Sequence, residues 1–238
     1  MDLVDSLLRD VSARSDRLKR PVTTLSYAQS LDGSITTRRG EPAEISAAES
    51  LRLVHRLRAA HDAILVGVGT VLADNPRLTV RLAQGKNPQP VVLDHRLRMP
   101  PDCALAQRGD LPVWVLCGAE APIECEQRLT ACGVRVARLP EGPDGLPDLR
   151  AALEWLFVQG VRSLMVEGGA RVLHSFLRRG LADQAVVTVA PFWMGGLNLF
   201  EAEETGLRPR LIDPHWEQYG PDGVVWGRID LTEAEKSR

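Results

Sequence analysis

The chain has 238 residues, 44% of them hydrophobic and 25% charged, a composition that excludes a largely disordered, collagen-like or coiled-coil protein. Its 29 basic and 31 acidic residues give a net charge of −2, so we expect no nucleic-acid partner, because duplex binders need a basic face. It has neither a run of about 20 apolar residues nor a signal-peptide pattern, which predicts a cytoplasmic protein with no membrane partner.

The first segment is predicted to be an N-terminal helical arm, residues 1–20. Residues 3–19 have apolar side chains at helical spacing. We expect this arm to pack on its own domain or on a second subunit. The remainder is predicted to be a single domain at 21–232 with a short tail at 233–238, since the loop at 139–147 is too short for a domain linker.

Beyond the arm, strand and helix patterns alternate. Apolar and β-branched runs predict strands at 22–28, 62–67, 90–94, 113–117, 134–138, 163–167, 184–190 and 223–230. Helices are predicted to begin at Ser46, where Glu49 completes a capping box, and at Gly67, and to cover 122–132, 148–159 and 170–179. This alternation predicts an α/β fold with a mostly parallel sheet. The last two strands have no clear helix between them, which predicts an antiparallel C-terminal edge.

Two glycine-rich junctions connect a predicted strand to a helix. Gly67 and Gly69 precede Thr70 in the first, and Gly168 and Gly169 follow a strand in the second. Free backbone N–H groups at a helix start attract phosphate, and glycine allows a ligand close to the backbone. Neither junction is a GxGxxG fingerprint or a P-loop, and tight turns alone explain many such sequences. Together they indicate a nucleotide site.

Charged residues near these junctions are candidates for binding a phosphorylated ligand. Arg58, Arg77 and Arg81 are the guanidinium groups that could clamp a phosphate, although a single arginine is more often simply solvated. Glu167 closes a buried strand, where a carboxylate can accept hydrogen bonds from amino groups of a heterocycle. The alternative is that Glu167 only pairs with the following helix start.

The sequence contains no motif for metal binding or for covalent catalysis. The histidines form no HExxH motif and no GxSxG elbow is present, which favours hydride chemistry supplied by a cofactor. The cysteines have neither CxxC spacing nor a histidine at zinc-ligand distance, so we expect no metal. Buried, reduced thiols are expected at Cys103, Cys117, Cys125 and Cys132.

Four segments in order carry a resemblance to a known family. They are TLSYAQSLDG at 24–33, VGVGTVLADNPRLT at 66–79, VEGGA at 166–170 and APFWMGG at 190–196. From about residue 20 to 230 the chain resembles the pyrimidine reductases of riboflavin biosynthesis. These include the reductase half of the bacterial deaminase–reductase and the stand-alone archaeal and fungal enzymes.

The resemblance implies a dihydrofolate-reductase-like fold of three layers, with helices on both faces of the sheet, in a homodimer that uses NADPH. It implies reduction of a phosphoribosylamino-pyrimidine to its ribitylamino 5′-phosphate, with hydride transfer to C1′ of the ring-opened sugar. The positions that match cofactor contacts are Ala28, Thr70, Asp74, His95, Gly168, Gly169, Ala170, Arg171, Val172 and Leu173. Those that match substrate contacts are Ser46, Arg58, Leu78, Arg81 and Glu167. Asp74 is also implied to lie near the nicotinamide and to assist proton delivery.

The chain departs from the bacterial fusion enzymes at two positions. Ser26 stands where they often carry a lysine, and Glu44 where they often carry a tryptophan. The HxE and PCxxC zinc signature of a deaminase is absent, so this chain is not expected to deaminate its own substrate. Two alternatives stay open, a paralogue that reduces dihydrofolate or another pterin-like compound and a non-catalytic nucleotide-binding paralogue.

Overall fold

A computed structural model of the chain describes residues 2–200 and 207–233. Its helices are α1 (Leu3–Leu7), α2 (Val11–Leu18), α3 (Ala48–Ala60), α4 (Val68–Asp74), α5 (Ile123–Thr130), α6 (Leu149–Val158) and α7 (Ala170–Arg178). Its strands are β1 (Val22–Ser30), β2 (Ser34–Thr36), β3 (Ala63–Gly67), β4 (Gln89–Leu93), β5 (Trp114–Gly118), β6 (Arg135–Leu139), β7 (Ser163–Val166), β8 (Gln184–Ala190), β9 (Leu197–Asn198), β10 (Leu207–Tyr219) and β11 (Asp222–Glu233).

One sheet organises the molecule, with strand order β10-β11-β8-β1-β7-β3-β4-β5-β6. Within the run from β8 to β6, each adjacent pair of strands is parallel. Strand β11 is antiparallel to both β8 and β10, and β2 pairs with β9 in a separate short ribbon. The predicted mostly parallel sheet with an antiparallel C-terminal edge is therefore confirmed.

Strand β3 shows how the layers form, because its successive side chains point to opposite faces of the sheet. Leu65 packs in a cluster with Leu153 of α6 and Phe176 of α7. Its neighbour Ile64 packs in another cluster with Val71 of α4 and Leu129 of α5. Helices cover both faces, as expected from the resemblance, and a central strand buried on both sides accounts for its continuous apolar run.

The N-terminal arm packs against its own chain. Leu3 and Leu7 of α1 share a buried cluster with Leu53 and Leu57 of α3. The prediction of one helix over 3–19 is wrong, because the chain turns between α1 and α2 at Asp10, where φ is +54°. The turn lets α1 lie on α3 while α2 contacts β1 and β7, a difference that helical periodicity alone does not predict.

The start of α3 also differs from the prediction. Ala47 is the N-cap residue, and Ser46 and Glu49 form no capping box. Instead Asp222, at the start of β11, accepts hydrogen bonds from the Ala47 amide at 2.7 Å and from the Ser50 hydroxyl. A buried carboxylate from a distant strand thus takes the place of a local capping side chain and adds a favourable charge at the positive end of the helix.

The sequence patterns do not predict strand β10, nor the short strands β2 and β9. Pro209 and Pro214 argue against a strand in the interior of a sheet, because proline cannot donate to a ladder. Strand β10 lies at the edge of the sheet, where one side of the strand needs no partner, and its register with β11 shifts between Ile212 and His215.

The cysteine prediction is correct for two residues and wrong for two. Cys103 and Cys117 are buried, whereas Cys125 is half-buried and Cys132 is exposed; all four are free thiols. Cys132 lies in the solvent-facing turn that follows α5. Over the described ranges, no helix combines the length and apolarity needed to cross a bilayer.

Candidate active site

The candidate site lies at the carboxyl ends of four adjacent parallel strands, β1, β7, β3 and β4. Gly67 ends β3 and His95 follows β4, whereas Glu167 follows β7 and donates its amide to the Leu65 carbonyl at 3.0 Å. Ala28 lies near the end of β1, opposite Thr188 of β8. The parallel strands therefore bring four predicted site residues, distant in the sequence, to one edge of the sheet, which is where open α/β sheets bind ligands.

The two glycine-rich junctions meet at this edge. Gly168 and Gly169 have φ values of +150° and +79°, which side chains rarely adopt. A Cβ on either glycine would stand 3.5 or 3.4 Å from the Thr70 hydroxyl of the other junction. A Cβ on Gly67 would stand 2.8 Å from Cγ2 of Val172, so this glycine lets α7 approach β3 closely. The resulting cradle is formed largely by backbone.

The first turn of α7 supplies the remainder of the predicted cofactor loop. The Gly169 carbonyl accepts from the amides of Val172 at 2.9 Å and Leu173 at 3.1 Å. Arg171 is exposed and Ala170 half-buried, whereas the side chain of Leu173 belongs to the hydrophobic core. Leu173 can therefore contact a ligand only through its backbone, and Gly69, exposed at the start of α4, has open space where a side chain would be.

Beyond β4, two polar side chains have atoms without a hydrogen-bond partner in the described part of the chain. The atoms are Nδ1 of His95 and Oδ1 of Asp94, and both are buried. The other Asp94 oxygen accepts from the Met99 amide at 2.7 Å. The His95 ring lies against Gly118, where a Cβ would be 3.1 Å from the ring. A buried ring nitrogen without a protein partner suits a ligand contact.

Arg58 and Glu167 form a bidentate ion pair. Nε and Nη2 of Arg58 donate to the two Glu167 carboxylate oxygens, each at 2.6 Å, and the side chains are only 12% and 11% exposed. Burial alone would lower the Arg58 pKa, but the charge and hydrogen bonds of Glu167 outweigh it and leave the pKa above its usual value. The two residues, which sequence reasoning assigned to different groups of the substrate, are joined in one unit.

The loop after α4 is fastened to α3 by two side chains. Nη1 of Arg58 donates to the Thr79 carbonyl at 3.2 Å, and Nδ1 of His55 accepts the Arg81 amide at 2.9 Å. Leu78 is buried with φ of +51°, an uncommon conformation for a branched residue. The Arg81 guanidinium is exposed and donates to the Thr79 hydroxyl at 2.8 Å.

Positive charge accumulates around this loop. Partial desolvation, together with the charges of Arg58 and Arg77, holds the Arg81 pKa below its usual value, and Glu167 offsets this only in part. Since Arg58 is occupied by Glu167, Arg77 and Arg81 are the guanidinium groups that remain for an anion. The local field therefore favours a negatively charged ligand.

Asp74 and Ser46 are the other two predicted site residues. Asp74 ends α4, and partial desolvation raises the pKa of its carboxyl above the usual value. Asn75 caps the helix with φ of +42° and accepts the Ala104 amide at 2.8 Å. Ser46 is half-buried and stands just before the residue that Asp222 caps.

Sequence reasoning missed Asp32 as a structural residue of the site loops. Its carboxylate accepts from the Ser30 and Ser34 hydroxyls and from the Met194 and Gly195 amides, and these bonds, that of Ser30 foremost, hold its pKa well below the usual range. Asp32 thus ties the end of the 24–33 segment to the 190–196 segment. Both segments were recognised as motifs in the sequence, but their contact through Asp32 was not predicted.

A family model, relatives identified by sequence and solved structures all relate this chain to the same group of proteins. The RibD C-terminal domain matches residues 21–225. A 2,5-diamino-6-ribosylamino-4(3H)-pyrimidinone 5′-phosphate reductase from Archaeoglobus fulgidus is 38% identical over 187 residues, covering 74% of this chain and 83% of that protein. The Debaryomyces hansenii protein of the same name is 32% identical over 228 residues, covering 88% and 90%.

Longer relatives and solved structures agree. The riboflavin biosynthesis protein RibD of Bacillus amyloliquefaciens is 36% identical over 212 residues; the match covers 85% of this chain but only 56% of that protein, so the chain spans little more than half of it. The Saccharomyces cerevisiae riboflavin biosynthesis reductase Rib7 superposes with a TM-score of 0.75 at 28% identity, covering 96% of this chain and all of that one. Acinetobacter baumannii RibD gives 0.77 at 25% identity, covering 96% of this chain and 62% of that one. The chain therefore belongs to the RibD C-terminal domain family.

Proposed function

We propose that this chain is an NADPH-dependent oxidoreductase of riboflavin biosynthesis. Its substrate would be 2,5-diamino-6-ribosylamino-4(3H)-pyrimidinone 5′-phosphate, or the deaminated amino-uracil, and its product the ribitylamino 5′-phosphate. The names of the archaeal and yeast relatives support this substrate class. The observation that carries the proposal is that Glu167, with its Arg58 partner, directly precedes the Gly168–Gly169 cradle. Features suited to a pyrimidine and to a dinucleotide are thus adjacent.

The cradle supports a nicotinamide cofactor. Gly168 and Gly169 place no side chain between a ligand and the backbone, and Nδ1 of His95 is buried with no hydrogen-bond partner among the described residues. These residues, with Thr70 and the first turn of α7, would hold NADPH, since a helix start favours phosphate. When bound, NADPH supplies the hydride for reduction at C1′ of the ring-opened sugar.

The pair of Glu167 and Arg58 supports recognition of the pyrimidine. A carboxylate has about four acceptor sites, of which Arg58 uses two, so Glu167 can still accept from amino groups of a heterocycle. Arg58 holds that carboxylate in one orientation. Arg81, exposed and close to other positive charges, is the residue we assign to the 5′-phosphate.

Asp74 is the residue we assign to proton delivery. Its raised pKa makes its carboxyl hold a proton more readily than an ordinary aspartate does. Reduction at C1′ consumes one hydride and one proton. The cofactor supplies the hydride, so a carboxyl near the reacting group can supply the proton. Ser26, at the position of the lysine in many bacterial fusion enzymes, is buried in β1 and cannot take over a charged role.

The decisive experiment follows the loss of NADPH absorbance at 340 nm with the two pyrimidine 5′-phosphates offered separately. Turnover of the diamino-pyrimidinone alone assigns the enzyme to the step before deamination, and turnover of the amino-uracil alone assigns it to the step after. If neither is reduced while NADPH binds, the proposal is rejected in favour of a paralogue, and dihydrofolate is the next substrate to offer. The family resemblance also supports a homodimer, which light scattering on the same sample measures.

A further inference from the structure

We propose that His55 is a positioning residue for phosphate recognition, because it holds the backbone of the loop that carries Arg81. Nδ1 of His55 accepts the amide of Arg81 at 2.9 Å and, at 3.4 Å, that of Leu82. The inference rests on the proposed function, since it takes Arg81 as the group that binds the substrate 5′-phosphate. It adds a residue that does not itself touch substrate.

Among the described residues, His55 is one of two α3 side chains that hydrogen-bond the backbone of this loop. His55 lies one helical turn before Arg58, and the two side chains reach consecutive parts of the same segment. Arg58 bonds the carbonyl of Thr79, and His55 bonds the amide of Arg81. His55 is only 1% exposed, so water does not compete readily for its acceptor.

The chemistry of the contact requires a neutral imidazole. A backbone amide can only donate, so Nδ1 must present a lone pair and the ring proton must be on Nε2. Burial, then the charges of Arg58 on its own helix and Arg81 on the loop, lower the His55 pKa to about 4. The arginines that favour an anion near this loop therefore act together with burial to keep the His55 imidazole neutral, the form in which Nδ1 accepts the Arg81 amide.

Removing the acceptor should loosen the loop without removing the guanidinium. In His55→Leu the Arg81 and Leu82 amides lose their partner in an apolar position, which favours other loop conformations. His55→Asn is the matched control, because a short side-chain amide keeps an acceptor oxygen near the position of Nδ1. A purely space-filling role for His55 would make Leu the better replacement.

Two measurements on the full chain test this. The first is amide hydrogen exchange without substrate, in which peptides containing Arg81 and Leu82 should exchange faster in His55→Leu and near the wild-type rate in His55→Asn. The second is the ratio of kcat/KM for the phosphorylated substrate to that for its dephosphorylated form. We expect His55→Leu to lower this phosphate preference about tenfold, within the range for the loss of one hydrogen bond, and His55→Asn to retain most of it.

A double-mutant comparison distinguishes positioning from general damage. If His55 acts through Arg81, His55→Leu has little further effect on phosphate preference when Arg81 is already alanine. Equal loss of activity on both substrates, unchanged amide exchange, or additive effects with Arg81→Ala would overturn the inference. Failure of the wild-type protein to reduce either pyrimidine would instead reject the proposed function, while the exchange measurement still decides whether His55 holds the loop.

Discussion

At the scale of single residues, the site depends on charges that are paired inside the protein. Arg58 and Glu167 are 109 residues apart and nearly buried, yet each guanidinium bond to the carboxylate is 2.6 Å long. A buried pair of this kind contributes modestly as a pair, but loss of one partner leaves the other charge uncompensated. The pair therefore links stability and the proposed substrate binding in the same two side chains.

Replacing Glu167 with glutamine tests this link. Glu167→Gln should raise KM for the pyrimidine more than KM for NADPH and lower the free energy of unfolding by about 1.5–3 kcal/mol, since a charged hydrogen-bonded pair is lost. Steady-state kinetics and denaturant titration measure the two effects. Glu126→Gln is the control, because Glu126 pairs with Arg138 at the surface, where such pairs contribute about 1 kcal/mol or less. Equal rises in both KM values would contradict the assigned role.

The depressed pKa of His55 gives a second prediction at this scale. Its folded pKa of about 4 lies below the ordinary value of 6.5, so between these values the unfolded chain binds more protons. Stability is therefore full above about pH 6.5 and falls as the pH approaches 4. Denaturant titrations across this window should show a flatter pH dependence in His55→Asn. Buried His61, whose pKa is also lowered, is present in both proteins, so its contribution to the difference between them cancels. Equal slopes of unfolding free energy against pH in the two proteins would contradict the prediction.

At the scale of elements, the turns between strands and helices determine the shape of the site. The junctions after β3 and β7 are next to each other because their strands are hydrogen-bonded neighbours. Their glycines have different reasons to be glycine: Gly67 allows α7 to approach, whereas Gly169 adopts a conformation that a side chain resists. The same sequence signal thus reflects close packing in one turn and backbone conformation in the other.

Two glycine substitutions distinguish the cost of an unfavourable backbone conformation from the loss of space for the ligand. Gly169→Ala and Gly133→Ala both place alanine at positive φ, +79° and +82°, so each should cost about 1 kcal/mol or more in stability. Only Gly169 faces the Thr70 hydroxyl, whereas a Cβ on Gly133 meets nothing within 4 Å. We therefore expect KM for NADPH to rise in Gly169→Ala alone. A similar rise in both variants would indicate a general effect of destabilisation.

At the scale of the whole molecule, segments far apart in sequence support the site. Asp222 of β11 caps α3, the helix that carries His55 and Arg58, so the antiparallel edge fixes the helix from which the loop is held. The N-terminal arm contributes from the other end, since Leu3 and Leu7 are buried against α3. Helix α3 is therefore stabilised by both ends of the described chain.

Deleting residues 1–19 tests the role of the arm. Because the arm packs on α3 of the same chain, we expect a lower melting temperature, and even a net loss of about 2 kcal/mol corresponds to about 4–8 °C for a domain of this size. Calorimetry measures the transition, and light scattering measures the mass of the oligomer. An unchanged melting temperature would contradict the packing role, and a lost oligomer would show that the arm also contacts a second subunit.

Features that depend on neighbours along the chain could be predicted from the sequence. Alternating strand and helix periods predicted the parallel sheet, and the absence of a helix before the last strand predicted its antiparallel edge. Because parallel strands share one carboxyl edge, the glycine junctions, Glu167 and His95 can be grouped solely from their positions at the ends of predicted strands. The same positions indicated a nucleotide role for the junctions and a heterocycle role for Glu167, whereas the role of His95 came from the resemblance.

Contacts between side chains that are distant in the sequence became visible in the folded chain. The pairing of Arg58 with Glu167, the bond from the Arg81 amide to His55 and the capping of α3 by Asp222 each join residues separated by many elements. Local preference favoured Ser46 as the cap and was overruled, whereas Pro209 and Pro214 are tolerated in β10 because this strand lies at the edge of the sheet. The physical reason is that burial and hydrogen-bond satisfaction depend on what the folded chain brings close together, which periodicity along a single segment does not contain.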